Sequence, residues 1–184
     1  MDKTETIKKL LEGNQKYITS EKGAGDISPR IRLKTAVEGQ NPYAIIITCS
    51  DSRVIPEAIF QCGIGDLFVI RLAGNVIDNH QLGSIEYAAD HLGTKLIMVL
   101  GHTHCGAVDA AIHHDPEGYI KFITDEITKA IGAEKDPYKA ACLNVQRSID
   151  LIESSLIIQK DEEKGLAVVG AMYDIESGKV EIFT

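Results

Sequence analysis

Apolar runs that alternate with amphipathic stretches predict a sheet covered by helices. Continuous apolar runs rich in β-branched residues occupy 43–49, 66–72, 95–101 and 166–174, and "KVEIFT" follows "ESG" as the second arm of a hairpin. Such runs are typical of parallel strands that are buried on both faces. The sequence therefore predicts an α/β fold with about four parallel strands, a C-terminal antiparallel edge strand and flanking helices.

Helical periodicity lies before and between these runs. Apolar residues recur at helical spacing in 3–20, and further helices are predicted at 82–92 and 105–114. A long helix is predicted to begin at Asp136-Pro137, because aspartate is a good N-cap and proline is favoured in the first turn.

Length and composition are those of one globular domain. The chain has 184 residues, of which 44% are apolar and 25% are charged. We predict a single domain over residues 1–184. Residues 1–35 are expected to form a helical arm that packs on a partner subunit, although packing on the same domain would produce the same sequence pattern.

The net charge of the chain limits which kinds of molecule it is expected to bind. The net charge of −8 argues against nucleic acid or an anionic membrane, because both bind basic surfaces. We see no apolar run near the ~20 residues of a membrane span and no signal-peptide core, so we predict a cytoplasmic protein. Structural disulfides are rare there. The four cysteines are therefore interpreted as core thiols, metal ligands or nucleophiles.

Two predicted strands end on residues that a core strand does not need. The first ends at Cys49, and the third runs into "GHTHCGAV" with His102 and Cys105. If these strands are neighbours, two thiolates and an imidazole converge, which suits zinc and leaves a fourth position open. The alternative is that both cysteines are small core thiols, since free cysteine is often buried.

A charged pair flanks the first of these cysteines. Asp51 and Arg53 can pair bidentately, which would hold the carboxylate ionised and able to accept a hydrogen bond from a zinc-bound hydroxide. The alternative is a surface ion pair that contributes little.

The motifs "CSDSRV", "GDLFVIR-AGN", "GSIEYA", "VLGHTHCGAV" and "VVGAMYDIESGKV" together resemble the β-class carbonic anhydrases, in their plant-like, open-site branch. The resemblance implies a zinc enzyme that interconverts carbon dioxide and bicarbonate by zinc-hydroxide attack. It also implies a homodimer or a dimer-based higher oligomer. Cys49, His102 and Cys105 match the zinc ligands of this family, and Asp51 and Arg53 match its dyad.

The resemblance also implies a substrate pocket. Its residues would be Gln40, Phe68, Ala73, Tyr87 and Gly106, the last as a backbone donor. The chain departs from the family at "RLAGN", where leucine replaces the usual asparagine or histidine.

Three other interpretations remain open from sequence. The same scaffold could hydrolyse carbon disulfide or carbonyl sulfide, or serve as a non-catalytic zinc-stabilised module. His104 is a rival metal ligand.

In one branch of this family, bicarbonate favours a closed zinc site, and a tryptophan stands three residues before the first zinc cysteine. Here that residue is Ile46, and the chain has no tryptophan, so we expect an open site.

Overall fold

A five-stranded sheet forms the centre of the computed structural model, which describes residues 1–19, 25–114 and 116–183. The strand order is β2-β1-β3-β4-β5, and every neighbouring pair is parallel except the antiparallel β4 and β5. The predicted fold class is thereby confirmed. The strands are β1 Ala44–Thr48, β2 Leu67–Arg71, β3 Leu96–His102, β4 Ala167–Tyr173 and β5 Val180–Ile182.

Helices cover both faces of this sheet. Four of them, α2, α3, α6 and α8, were not predicted. The stretch predicted as a helix at 82–92 belongs to an α-helix that continues into a π-helical turn, Tyr87–His91. A 3₁₀ turn, Ala73–Asn75, follows β2. The helices are α1 Lys3–Thr19, α2 Pro29–Glu38, α3 Pro56–Ile59, α4 Asn79–Glu86, α5 Gly106–His113, α6 Ile120–Ile131, α7 Pro137–Glu153 and α8 Leu156–Glu162.

The sheet separates two hydrophobic clusters. All five residues of β1 are buried, because Ile45 and Ile47 face one cluster while Ile46 faces the other. Successive side chains of a strand point to opposite faces, so a strand buried on both sides must be apolar throughout. The first cluster contains Val145 and Ile149 of α7, and the second contains Leu10 of α1.

The first helix of the predicted arm packs on its own chain. Leu10 is fully buried, and the buried Asn14 donates to the carbonyls of Ile59 and Gly178 and accepts the amide of Val180. Helix α2 differs, since none of its residues is buried. Contact of residues 1–35 with a partner subunit stays a prediction, and residues 20–24 of this range lie outside the described residues.

Within residues 1–19, 25–114 and 116–183, no helix combines the length and the apolar character that a membrane span requires.

Candidate metal centre

Two neighbouring strands carry metal-binding side chains to the same edge of the sheet. Cys49 directly follows β1, His102 is the last residue of β3, and Cys105 caps the N-terminus of α5. One ligand atom of each lies within 4.8 Å of the other two, and all three residues are buried. The described part of the chain contains no other such group of three. The strands β1 and β3 are paired, as the predicted convergence requires.

The imidazole of His102 is oriented as a ligand. Its Nδ1 lies 2.8 Å from the carbonyl oxygen of Thr103, which can only accept, so Nδ1 carries the proton. Its Nε2 is buried and has no hydrogen-bond partner. A buried nitrogen with a free lone pair is costly unless something binds it. Two sulfurs and this nitrogen are a donor set that suits zinc.

The ionisation of each of the two thiols depends on the other. A hydrogen bond from Cys105 lowers the pKa of Cys49, while the same contact raises the pKa of Cys105 above its ordinary value. The Cys49 sulfur also accepts the backbone N–H groups of Gly74, at 3.2 Å, and of Asp51, at 3.4 Å. The protein alone therefore favours one thiolate, and a divalent cation would allow both thiols to ionise. The residues present fit zinc.

The predicted pair of Asp51 and Arg53 is formed. Oδ1 of Asp51 accepts the backbone amide and Nε of Arg53, both at 2.9 Å, and Oδ2 accepts Nη2 at 2.7 Å. These hydrogen bonds hold the pKa of the Asp51 carboxyl well below its usual range. Nη2 of Arg53 also donates to the carbonyl of His104, at 3.0 Å. The pair is thereby joined to the loop that carries Cys105.

His104 itself is placed away from the metal-binding atoms. Its backbone is left-handed, with φ of 57°, and its ring faces Glu176 at 3.5 Å. It does not belong to the group of ligand atoms found among the described residues.

Arg71 holds the loop that follows β1. Its Nε donates to the carbonyl of Cys49 at 3.2 Å, and its Nη2 donates to that of Asp51 at 2.7 Å. Arg71 thus fixes the backbone on both sides of Ser50. Arg71 is the last residue of β2, and the strand register places it opposite Thr48.

Two of the five predicted pocket residues lie beside the metal-binding group. Gly106 and Cys105 line one cavity of about 270 Å³, and the N–H groups of the first turn of α5 have no helical partners. Ala73 directly precedes Gly74, whose amide reaches the Cys49 sulfur.

The other three predicted pocket residues lie elsewhere on the chain. Phe68 is paired with Ile45, four residues before Cys49, which is about 13 Å along the strand. Tyr87 packs on Phe68 with 6.3 Å between ring centroids. Gln40 lines a separate cavity with residues such as Leu67. The single chain does not gather these three side chains around its own metal-binding group.

The remaining two cysteines are structural thiols. Cys62 is buried, its sulfur lies 2.8 Å from the Tyr43 hydroxyl, and burial raises its pKa to about 11. Cys142 is half-buried on α7.

Sequence comparisons agree with this geometry. The sequence model of the family described as carbonic anhydrase matches residues 44–180. "Carbonic anhydrase 2" of Mycobacterium tuberculosis is 37% identical over 184 aligned residues, which cover 94% of this chain and 88% of that protein. The carbonic anhydrase of Mycolicibacterium smegmatis is 36% identical, over 95% of this chain and 90% of its own length.

Solved structures show the same architecture. One of the tetrameric β-carbonic anhydrases of Sordaria macrospora superposes with a TM-score of 0.78 at 29% identity, covering 85% of this chain and 87% of that one. The family model and these relatives each span most of the chain, and its fold matches theirs. The chain is a member of the carbonic anhydrase family, in its β class.

Proposed function

We propose that this protein catalyses the reversible hydration of carbon dioxide to bicarbonate and a proton, with zinc held by Cys49, His102 and Cys105. The observation that carries the proposal is the convergence of two thiols and an unpartnered Nε2 at adjacent strand ends, in a chain of this family. When bound, zinc supplies a Lewis acid that makes hydroxide available from water near neutral pH.

Asp51 is the proposed hydrogen-bond acceptor for the attacking oxygen. A carboxylate must be ionised and fixed in direction to do this, and three hydrogen bonds from Arg53 meet both requirements. Arg71 supports the same loop from its backbone side. The pairing leaves Asp51 facing Arg53, as the proposed open-site branch requires.

Gly106 and Ala73 are the proposed substrate contacts within the chain. The backbone N–H of Gly106 lies at the N-terminus of an eight-residue helix, where the helix dipole favours the negative oxygens of bicarbonate. The small apolar side chain of Ala73 suits carbon dioxide, which is linear and apolar.

We further propose that a second copy of the chain completes the pocket with Gln40, Phe68 and Tyr87. These residues are distant from the metal-binding group of their own chain, and Tyr87 is 45% exposed. The Sordaria structures are described as tetrameric, which supports an oligomer without defining its interfaces. In a two-fold dimer each copy would lend these side chains to the other.

Mixing two inactive variants tests this arrangement. Cys49→Ser removes a metal ligand, and Tyr87→Ala removes a side chain that we assign to the other copy's pocket. After random subunit exchange, half of the dimers would be mixed and each would contain one intact site, so about a quarter of the activity should return. A mixture as inactive as its parts would overturn the shared pocket while leaving the metal centre untested by this assay.

Carbonyl sulfide and carbon disulfide are the rival substrates, since both are also linear and apolar. Parallel assays on carbon dioxide and on these two substrates decide between them. Carbon dioxide hydration that is faster by orders of magnitude supports the proposal, and hydrolysis of the sulfur compounds alone would contradict it.

Two further features bear on the proposal. A non-catalytic zinc module would need a fourth protein ligand, and the described residues supply three.

We also propose that the protein works in the cytoplasm, which the free thiols of Cys62 and Cys142 support, because oxidising compartments favour disulfides.

A further inference from the structure

The sulfur of Cys49 receives a hydrogen bond from a distant part of the chain. Its contact with the amide of Asp51 is local, but the amide of Gly74, at 3.2 Å, comes from the turn after β2. A hydrogen bond to a metal-bound thiolate draws electron density from the sulfur and fixes its direction. The position of the Gly74 amide therefore matters for the metal centre.

The turn that presents this amide is conformationally unusual. Gly74 has φ of 65° and Asn75 has φ of 47°, so two consecutive residues are left-handed. Asparagine tolerates this region better than most residues, although at some energetic cost. A Cβ at Gly74 would lie 2.7 Å from Cδ1 of Ile127 and 3.1 Å from Cβ of Ala107. The turn is packed tightly on α5 and α6 and needs partners to keep its shape.

Helix α7 supplies these partners through two side chains one turn apart. Nδ2 of Asn144 donates to the carbonyl of Gly74 at 2.6 Å. Oγ of Ser148 lies 3.0 Å from the carbonyl of Asn75 and accepts Nδ2 of Asn75 at 3.5 Å. Asn144 and Ser148 are each only 2% exposed, so bulk water does not replace these contacts.

We propose that Asn144 is a positioning residue for the metal centre: it holds the Gly74 carbonyl, and thereby fixes the backbone that directs the Gly74 N–H at the Cys49 sulfur. The inference rests on the proposed zinc centre. Asn144 belongs to α7, lies outside the residues that hold the metal, and acts through one backbone residue.

The test is the zinc affinity of Asn144→Ala, measured by competition with a chelator of known affinity. Outer residues that orient metal ligands contribute about 10–100-fold to affinity, so we expect the zinc Kd to rise at least about fivefold. In the cobalt(II)-substituted variant, the sulfur-to-cobalt charge-transfer band should also shift. Circular dichroism and thermal unfolding define a temperature at which each variant is fully folded. Asn144→Ser, which also cannot reach the Gly74 carbonyl, replaces the alanine variant if that one does not fold.

Thr94→Val is the matched control. Oγ1 of the buried Thr94 donates to the carbonyl of Pro42 at 3.0 Å, and it lies before β3, at the opposite end of the sheet from the metal-binding residues. It loses a buried hydrogen bond of the same kind, and its zinc Kd should not change. A smaller rise in Kd for the Asn144 variant, an unshifted cobalt band, or an equal change in the control would overturn the inference. Absence of zinc binding in the unaltered protein would instead refute the proposed function.

Discussion

Replacing Asp51 by asparagine tests the pair beside the metal centre with almost no change of shape. Oδ1 accepts two N–H groups of Arg53 at 2.9 Å and Oδ2 accepts a third at 2.7 Å. An amide provides one oxygen, so its NH₂ group would face an N–H donor of Arg53 at that distance. With the amide oxygen in the place of Oδ1, the two bonds at 2.9 Å can persist, but the bond from Nη2 is lost and Nη2 keeps only the carbonyl of His104. The remaining side chain is neutral and less firmly oriented.

The expected loss of rate follows from this geometry. Neighbours that orient a reacting group typically contribute 10–100-fold, which is about 1.4–2.7 kcal/mol in the activation barrier. Zinc content should stay near that of the unaltered protein, because the carboxylate of Asp51 is not one of the clustered ligand atoms. The fall should therefore appear in kcat/KM per zinc.

Stopped-flow carbon dioxide hydration at equal zinc content is the assay. Asp125→Asn is the control, since it removes a carboxylate from a surface pair with Lys121 at 2.8 Å on α6, and its rate should not change. A fall of less than about tenfold for Asp51→Asn would refute its role as acceptor. Loss of zinc in this variant would show that the carboxylate supports the metal directly.

Three further predictions concern the metal, the pH range and regulation. Cys49→Ser and His102→Ala should each lose bound zinc by metal analysis while Cys62→Ser retains it, and full zinc in either of the first two would refute the ligand assignment. Burial raises the pKa of Cys62 from 9.0 to about 11, so its stabilising effect is complete below about pH 9 and is lost as pH rises towards 11. The free energy of unfolding, measured with urea, should fall by at most about 2 kcal/mol between pH 8 and pH 10.5. The fall should be smaller in Cys62→Ala, and an equal fall in that variant would show that other groups cause it. Bicarbonate should not inhibit cooperatively, because Ile46 offers no side-chain N–H to an anion; cooperative inhibition, or Asp51 bound to zinc in absorption spectra near pH 7.5, would contradict this.

The strands and the metal-binding group could be predicted because their signals are local. Each of the four predicted parallel strands lies within one residue of its observed bounds, since a strand buried on both faces needs an uninterrupted apolar run. Parallel strands end at one edge, so residues that follow β1 and β3 meet when these strands pair.

The missed helices lacked such a signal or carried an ambiguous one. Helix α2 buries none of its residues, so no apolar stripe marks it. Helix α6 begins with "IKFIT", whose β-branched residues are equally typical of a strand. The buried face of this helix consists of Thr124, Ile127 and Ile131, and only two of these residues are apolar.

The supporting contacts of the site could not be predicted from sequence. Asn144 meets Gly74 across 70 residues of chain, and Arg71 meets Cys49 only because β2 pairs with β1. Such contacts depend on tertiary packing, to which spacing along the chain gives no guide. The distance of Phe68 from its own chain's metal-binding group likewise emerges only from strand register.

Metal-dependent hydration in a single preparation tests the central claim most directly. The protein is stripped of metal with a chelator, reloaded with measured amounts of zinc, and assayed by stopped-flow carbon dioxide hydration. We expect the rate to rise in proportion to zinc and to level off at about one zinc per chain, since one cluster of three ligands is described. A hydration rate that equals the buffer rate at full zinc loading, or one that is unchanged after the metal is removed, would contradict the account.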